Sequence, residues 1–280
     1  MTFSNDLSTE VKKINCIKPF LSLYYRKKSV IMFNHMKSSR LILAFFITIL
    51  FITLSNTSCK SYPASFEVSN FIEKNNSQVE YIEGDSYFLI KSRESNENKT
   101  GIIFYPGGLV EYQAYLPLME KLAEKGAFCI LVEMPFDFAF MDFRAAGRFI
   151  KMYPEIEHWY MAGHSLGGAM AASYISRHKK DFDGLILLAA YSTHNISRSR
   201  LKVISIYGSK DGVLNRKHYQ KYYKNLPPVG NGLTEIIIQG GNHAQFASYG
   251  SQEGDYMPEI SSEEQQQITA EEIYKWMGLK

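Results

Sequence analysis

The chain is 280 residues long, 45% hydrophobic and 21% charged, a composition that supports a substantial core and excludes wholesale disorder. Its formal net charge of +3 arises at the N-terminus: residues 1–58 carry eight Lys/Arg against two Asp/Glu, leaving 23 basic and 26 acidic residues in 59–280. That mildly acidic remainder argues against a broad basic surface for nucleic acid.

Residues 1–35 show no clear periodic pattern, and this leader is set aside from the fold. Leu41 to Leu54 is a run of 14 residues without a charge, preceded by Lys37 and Arg40. A membrane span needs roughly 17–25 apolar residues, so the run better suits the apolar centre of a signal peptide. Counted from Met36, the pattern of basic start, apolar run, small polar residues and Cys59 fits the usual signal length of about 15–30 residues. Met36 therefore reads as the start, and residues 36–58 as signal peptide or membrane anchor. The pattern resembles a bacterial lipoprotein signal, which implies that Cys59 becomes the lipidated first residue of the mature protein. An uncleaved anchor is the alternative. Either reading puts the folded part outside the cytoplasm and gives the chain a membrane partner.

Cys16, Cys59 and Cys129 are too few for a disulfide framework, and no His/Cys cluster has zinc-ligand spacing, so no metal site is expected. Cys129 lies in an apolar run and reads as a buried core thiol.

Residues 59–80 read as a polar linker, and 81–280 as one α/β domain in which strand and helix patterns alternate without a repeat. Strands are predicted at Ser86–Lys91, Gly101–Tyr105, Phe128–Glu133, Trp159–Ala162, Gly184–Ala189, Lys202–Tyr207 and Thr234–Gln239. Several are continuous apolar runs, which suits parallel strands covered on both faces. Helices are predicted near Tyr115–Lys125, Asp142–Met152, Gly167–Arg177, Leu214–Lys224 and Glu263–Met277. The first carries Leu116, Leu118, Met119, Leu122 and Ala123 at helical spacing, with Gly126 as its stop. Nothing between Ala189 and Lys202 is long enough for a lid domain.

The strand at Trp159 runs into Gly163-His164-Ser165-Leu166-Gly167-Gly168, a GxSxG turn followed by a small-residue helix. A serine on such a sharp turn takes a strained backbone, and flanking glycines remove the side chains that would collide there. A serine hydroxyl needs a general base, and the base needs a group that holds its tautomer. Asp211 follows the Lys202–Tyr207 strand and His243 follows the Thr234–Gln239 strand. Both sit at the strand ends where open α/β sheets gather their chemistry. The order Ser165, Asp211, His243 is the one expected when a GxSxG elbow supplies the nucleophile. Plainer readings stand beside these. Ser165 can serve as an ordinary helix N-cap, Asp211 can open a turn with Gly212, and His194 also follows a strand, although it precedes the candidate acid.

Phe104-Tyr105-Pro106-Gly107-Gly108, Val132-Glu133-Met134-Pro135, the segment around Ser165, Tyr207-Gly208-Ser209-Lys210-Asp211 and Gly241-Asn242-His243-Ala244-Gln245-Phe246 together resemble the α/β-hydrolase superfamily, in particular its small lidless, dienelactone-hydrolase-like branch. The resemblance spans about residues 86–280. It implies a mostly parallel twisted sheet with helices on both faces and a serine acyl-hydrolase triad. It also implies an oxyanion donor at the N–H of Leu166, with the second from the turn after the Gly101–Tyr105 strand, at Gly108 or Leu109.

The expected activity is hydrolysis of an ester-like bond in a small acyl substrate, esterase-like, with no organic cofactor needed. Transfer to a non-water acceptor would use the same residues, and a surface-tethered binding protein on this scaffold is the non-catalytic alternative. Phe136-Asp137-Phe138-Ala139-Phe140-Met141 follows a strand end and could line an acyl pocket, although core packing is the commoner use of such a stripe. The sequence assigns no role to Tyr249–Asp255.

Overall fold

A computed structural model of the chain describes residues 61–69, 78–94 and 99–279, all within one unit, Ser61–Lys280. The leader, the Leu41–Leu54 run and Cys59 lie outside the described residues. Among those described, no helix is long and apolar enough to cross a membrane.

The strands are β1 (Val79–Gly84), β2 (Tyr87–Ser92), β3 (Thr100–Tyr105), β4 (Phe128–Val132), β5 (His158–His164), β6 (Gly184–Leu188), β7 (Lys202–Gly208) and β8 (Leu233–Ile238). They form a single eight-stranded sheet in the order β1-β2-β4-β3-β5-β6-β7-β8. β1 and β2 run antiparallel to each other and β2 runs antiparallel to β4, while every other pairing is parallel. At the centre, Ile103 stands between Ile130 of β4 and Met161 of β5. β3, β4 and β6 are buried at every position. This is the burial expected of parallel strands covered on both faces, and it accounts for their unbroken apolar sequences.

Helices α1 (Phe66–Ser69), α2 (Leu116–Glu124), α3 (Ala146–Met152), α4 (Leu166–Ile175), α5 (Arg216–Tyr222) and α6 (Ser262–Met277) surround the sheet. On one face, α2 and α6 pack with Ile90, Ile102, Phe104, Cys129, Leu131, Ile186 and Ile206 in a single cluster. Cys129 is fully buried, and burial pushes its thiol pKa far up, so it is inert core. Residues of the opposite parity meet the other helices. Tyr105 reaches α3, where its hydroxyl accepts the Ala146 N–H at 2.9 Å, and Ser205 and Tyr207 reach Tyr219 of α5. α6 opens on Ser261, whose hydroxyl accepts the Glu264 N–H, and closes on Gly278 at φ 75°. Both are the expected end signals of a helix.

Beyond shifts of one or two residues at element ends, the structure differs from the sequence expectation in three places. β1 was not expected; it makes a hairpin with β2 through Asp85 and Ser86, and Ser86 at φ 64° is why β2 begins one residue late. The helix expected from Asp142 begins only at Ala146, because Asp142–Ala145 closes as a turn with the Ala145 N–H on the Asp142 carbonyl. Residues 61–69, within the stretch read as linker, are docked onto the domain. Tyr62 donates to the Leu109 carbonyl at 2.7 Å and accepts from the Glu111 N–H at 3.0 Å, and Ser65 donates to Ser248 at 2.8 Å.

Candidate active site

Ser165 stands between β5 and α4 with φ 52° and ψ −120°, a backbone that a non-glycine residue adopts at a cost on the order of 1–3 kcal/mol. The turn is held by the Ser165 N–H on the Leu188 carbonyl at 2.9 Å and by the Ala169 N–H on the Ser165 carbonyl at 3.1 Å. Close packing enforces the neighbouring glycines. A Cβ on Gly167 would lie 2.2 Å from the carbonyl oxygens of Tyr105 and Pro106, and one on Gly163 would lie 2.5 Å from the Gly167 carbonyl carbon. Although Ser165 occupies the position just before the helix, its side chain makes no capping bond. Its partly exposed hydroxyl is thus left for other work.

Asp211 and His243 follow the adjacent strands β7 and β8, and their side chains meet: His243 Nδ1 lies 3.0 Å from Oδ2 and 3.1 Å from Oδ1 of Asp211. His243 is 1% exposed and Asp211 5%. Asp211 Oδ1 also accepts from the Val213 and Leu214 N–H groups at 2.9 and 2.7 Å. The turn-opening role and the partnership with histidine therefore coexist in one carboxylate. Burial pushes that carboxyl up, but the His243 ring and the two main-chain donors outweigh it, and the net effect holds Asp211 below its usual range and ionised at neutral pH. An ionised Asp211 accepts the Nδ1 proton, which leaves the lone pair of neutral His243 on Nε2. Nε2 is buried and makes no hydrogen bond to Ser165 or to any other described group. The rival His194 is half-buried near Thr193 and Ser192, and Asp211 is engaged with His243.

His164, beside the serine, points away from solvent. Its ring lies 4.5 Å from that of His243, centroid to centroid, and its Nδ1 is 2.7 Å from the Tyr115 hydroxyl. Burial first, and the neighbouring His243 second, hold His164 well below the usual histidine range, so it is neutral. The Tyr115 hydroxyl accepts the Gly107 N–H at 2.9 Å and is also hydrogen-bonded to His164 Nδ1. This chain ties the turn after β3 to the residue preceding Ser165. Sequence reasoning missed it, since nothing near Tyr115 signals a partner 49 residues away.

In the same turn, Leu109 at φ 62° spends its N–H on the Asp137 carbonyl at 2.9 Å, and Gly107 spends its own on Tyr115. Of the candidate second donors, Leu109 thus has its N–H on a main-chain carbonyl. The Gly108 N–H has no acceptor among the described residues, nor has the Leu166 N–H at the start of α4. The two residues are neighbours, as a Cβ on Gly108 would lie 2.9 Å from Leu166 Cδ2. The Phe136–Met141 stripe is mixed. Phe136, at φ 56°, is 73% exposed and Met141 50%, whereas Phe138 and Ala139 are buried. Among the described residues no group of three or more His, Cys, Asp or Glu could hold a metal ion.

A mostly parallel eight-stranded sheet with a strained serine elbow and an acid–histidine pair at its strand ends is the α/β-hydrolase fold. The model of the alpha/beta hydrolase family matches residues 101–267, more than half of the chain, and the chain belongs to that family. Among solved structures it is similar to a predicted CIB-like hydrolase from Thermoplasma acidophilum, with a TM-score of 0.51 and 18% identity over 71% of this chain and 98% of that one. It is also similar to Est1E from Butyrivibrio proteoclasticus, with a TM-score of 0.50 and 14% identity over 72% and 99% of the respective chains. At such identities the likeness is one of fold. No curated protein matches the chain.

Proposed function

We propose that this hydrolase is an exported, membrane-associated serine esterase of the small lidless, dienelactone-hydrolase-like kind, acting on carboxylic esters or lactones through Ser165, His243 and Asp211. The observation that carries the reading is the buried His243–Asp211 pair at 3.0 Å with Nε2 left unbonded, at the same sheet edge as a serine held at φ 52°. The absence of a helix from residues 189–201, between β6 and β7, favours a lidless site. The N-terminal signal pattern with Cys59 as lipid attachment point supports the location.

In this mechanism Ser165 Oγ attacks the acyl carbon while His243 Nε2 takes the hydroxyl proton, and Asp211 stabilises the imidazolium. The tetrahedral oxyanion accepts the Leu166 and Gly108 N–H groups, each worth about 3–4 kcal/mol in comparable sites. The intermediate collapses by breaking the ester C–O bond as His243 returns the proton to the leaving alcohol. Water then repeats the sequence on the acyl-enzyme, with His243 again as base, releasing the acid and free Ser165. The lack of a hydrogen bond at His243 Nε2 is compatible with a contact to Ser165 that forms on substrate binding.

The test uses the full-length protein in cells. A fluorophosphonate probe should label it in the membrane fraction, and Ser165→Ala should abolish both labelling and turnover of short activated esters while leaving the melting transition in place. Full activity in Ser165→Ala removes the serine from the mechanism.

A further inference from the structure

The stretch Tyr249–Asp255, to which the sequence assigned no role, delivers a carboxylate between the loops of the acid and the base. Asp255 Oδ1 accepts the N–H of Gly212 at 2.9 Å, and Oδ2 accepts the N–H of Ala244 at 2.9 Å. These are the residues immediately after Asp211 and His243. The remaining capacity of Oδ1 takes the Tyr256 N–H at 3.0 Å, so three main-chain donors close on one side chain. The approach is tight on the acid side: a Cβ on Gly212 would lie 2.5 Å from the Gly254 carbonyl oxygen and 3.2 Å from Asp255 Cα. On the base side, Asn242 donates to the Tyr256 carbonyl at 2.9 Å, and its main chain is gripped by Gln265 of α6 on both N–H and C=O, at 2.9 and 2.8 Å. The segment 254–256 thus forms a strut under the Asp211–His243 contact.

We propose that Asp255 is a positioning residue for this reaction: by bonding Gly212 with one oxygen and Ala244 with the other, it sets the spacing of Asp211 and His243. The proposal rests on the reading of those two side chains as catalytic. Its physical basis is that a carboxylate accepts on both oxygens, whereas an asparagine presents one acceptor and one donor and must set N–H against N–H in one of the two loops. Charge-assisted bonds to main-chain N–H groups are also the stronger kind. Loosening the strut should lengthen the Asp211–His243 hydrogen bond. His243 is then held less firmly in the orientation from which Nε2 takes the serine proton, which lowers kcat without weakening substrate binding.

The experiment compares full-length wild type with Asp255→Asn on p-nitrophenyl acetate, rates being normalised to the sites labelled by fluorophosphonate at completion. The expected result is a fall in kcat of tenfold or more with KM within twofold. A wild-type kcat overturns the proposal, and so does a kcat that falls only together with a KM raised more than twofold, which marks a merely structural role. Should the variant fail to fold, hydrogen exchange on the wild type decides: Gly212 and Ala244 amides protected well beyond free-loop rates support the strut, and unprotected amides overturn it. Activity retained in Ser165→Ala would instead sink the serine reading while leaving the exchange result standing, so the two failures are distinct.

Discussion

At the scale of single residues, His164 shows how a buried group supports a neighbouring turn. Its Nδ1 is hydrogen-bonded to the Tyr115 hydroxyl, and Tyr115 in turn holds Gly107, so the ring supports the turn after β3. The linkage to pH follows from the direction of its shift. The folded state refuses a proton that the unfolded chain accepts near a pKa of about 6.5. Stability is therefore full above that value and declines as pH falls below it, by about 1.4 kcal/mol per pH unit for one proton. His164→Gln should lose this dependence, so urea unfolding of the variant between about pH 7.5 and 5 should show a shallower slope than wild type by one proton's worth. Equal slopes would place the titration elsewhere.

At the scale of elements, the buried strands were legible because they are sealed on both sides and so carry nothing but apolar residues, as in Ile102–Phe104 and Cys129–Val132. β1 was not legible, for the converse reason. It is an edge strand of sequence Val-Glu-Tyr-Ile-Glu-Gly with only its first residue buried, and the apolar pattern that stabilises the hairpin lies on β2. The serine elbow announced itself through local chemistry, since glycines two residues either side answer a steric demand that Gly167 and Gly163 both display. Asp255 and Tyr115 did not, because Gly212 and His164 lie 43 and 49 residues from them and main-chain donors leave no sequence signature. The junction of β3, β5 and α4 is correspondingly intolerant. Gly167→Ala would drive a methyl into two main-chain carbonyls that cannot yield, so a loss of about 3 kcal/mol or more is expected in chemical denaturation, with probe labelling falling alongside.

At the scale of the whole molecule, residues contributed by β5, β7 and β8 assemble at one edge of the sheet because parallel strands all end their runs there. The two layers of helices then divide the labour. α6, through Gln265 and the 254–260 segment, braces the histidine loop from one side, while α4 packs its small residues against β3 and β5 from the other. The order of the strands and of the loops that follow them was readable, but the bracing of those loops was not. Order follows from strand periodicity, whereas bracing depends on which distant main-chain groups a side chain happens to meet.

The stitch between Tyr62 and the turn after β3 gives the domain's first few residues a part in its chemistry. Tyr62 shares two main-chain bonds with Leu109 and Glu111, and the Ala64 N–H lies 2.7 Å from a Glu111 carboxylate oxygen. A recombinant or protease-trimmed chain beginning at residue 66 would retain every side chain proposed for bond cleavage, yet would lack the clasp on the loop proposed to cradle the developing negative charge. Such a shortened enzyme should turn over p-nitrophenyl acetate more slowly than one beginning at residue 61, at equal titrated sites. Where the polypeptide is cut is thus a choice about reactivity as much as about solubility.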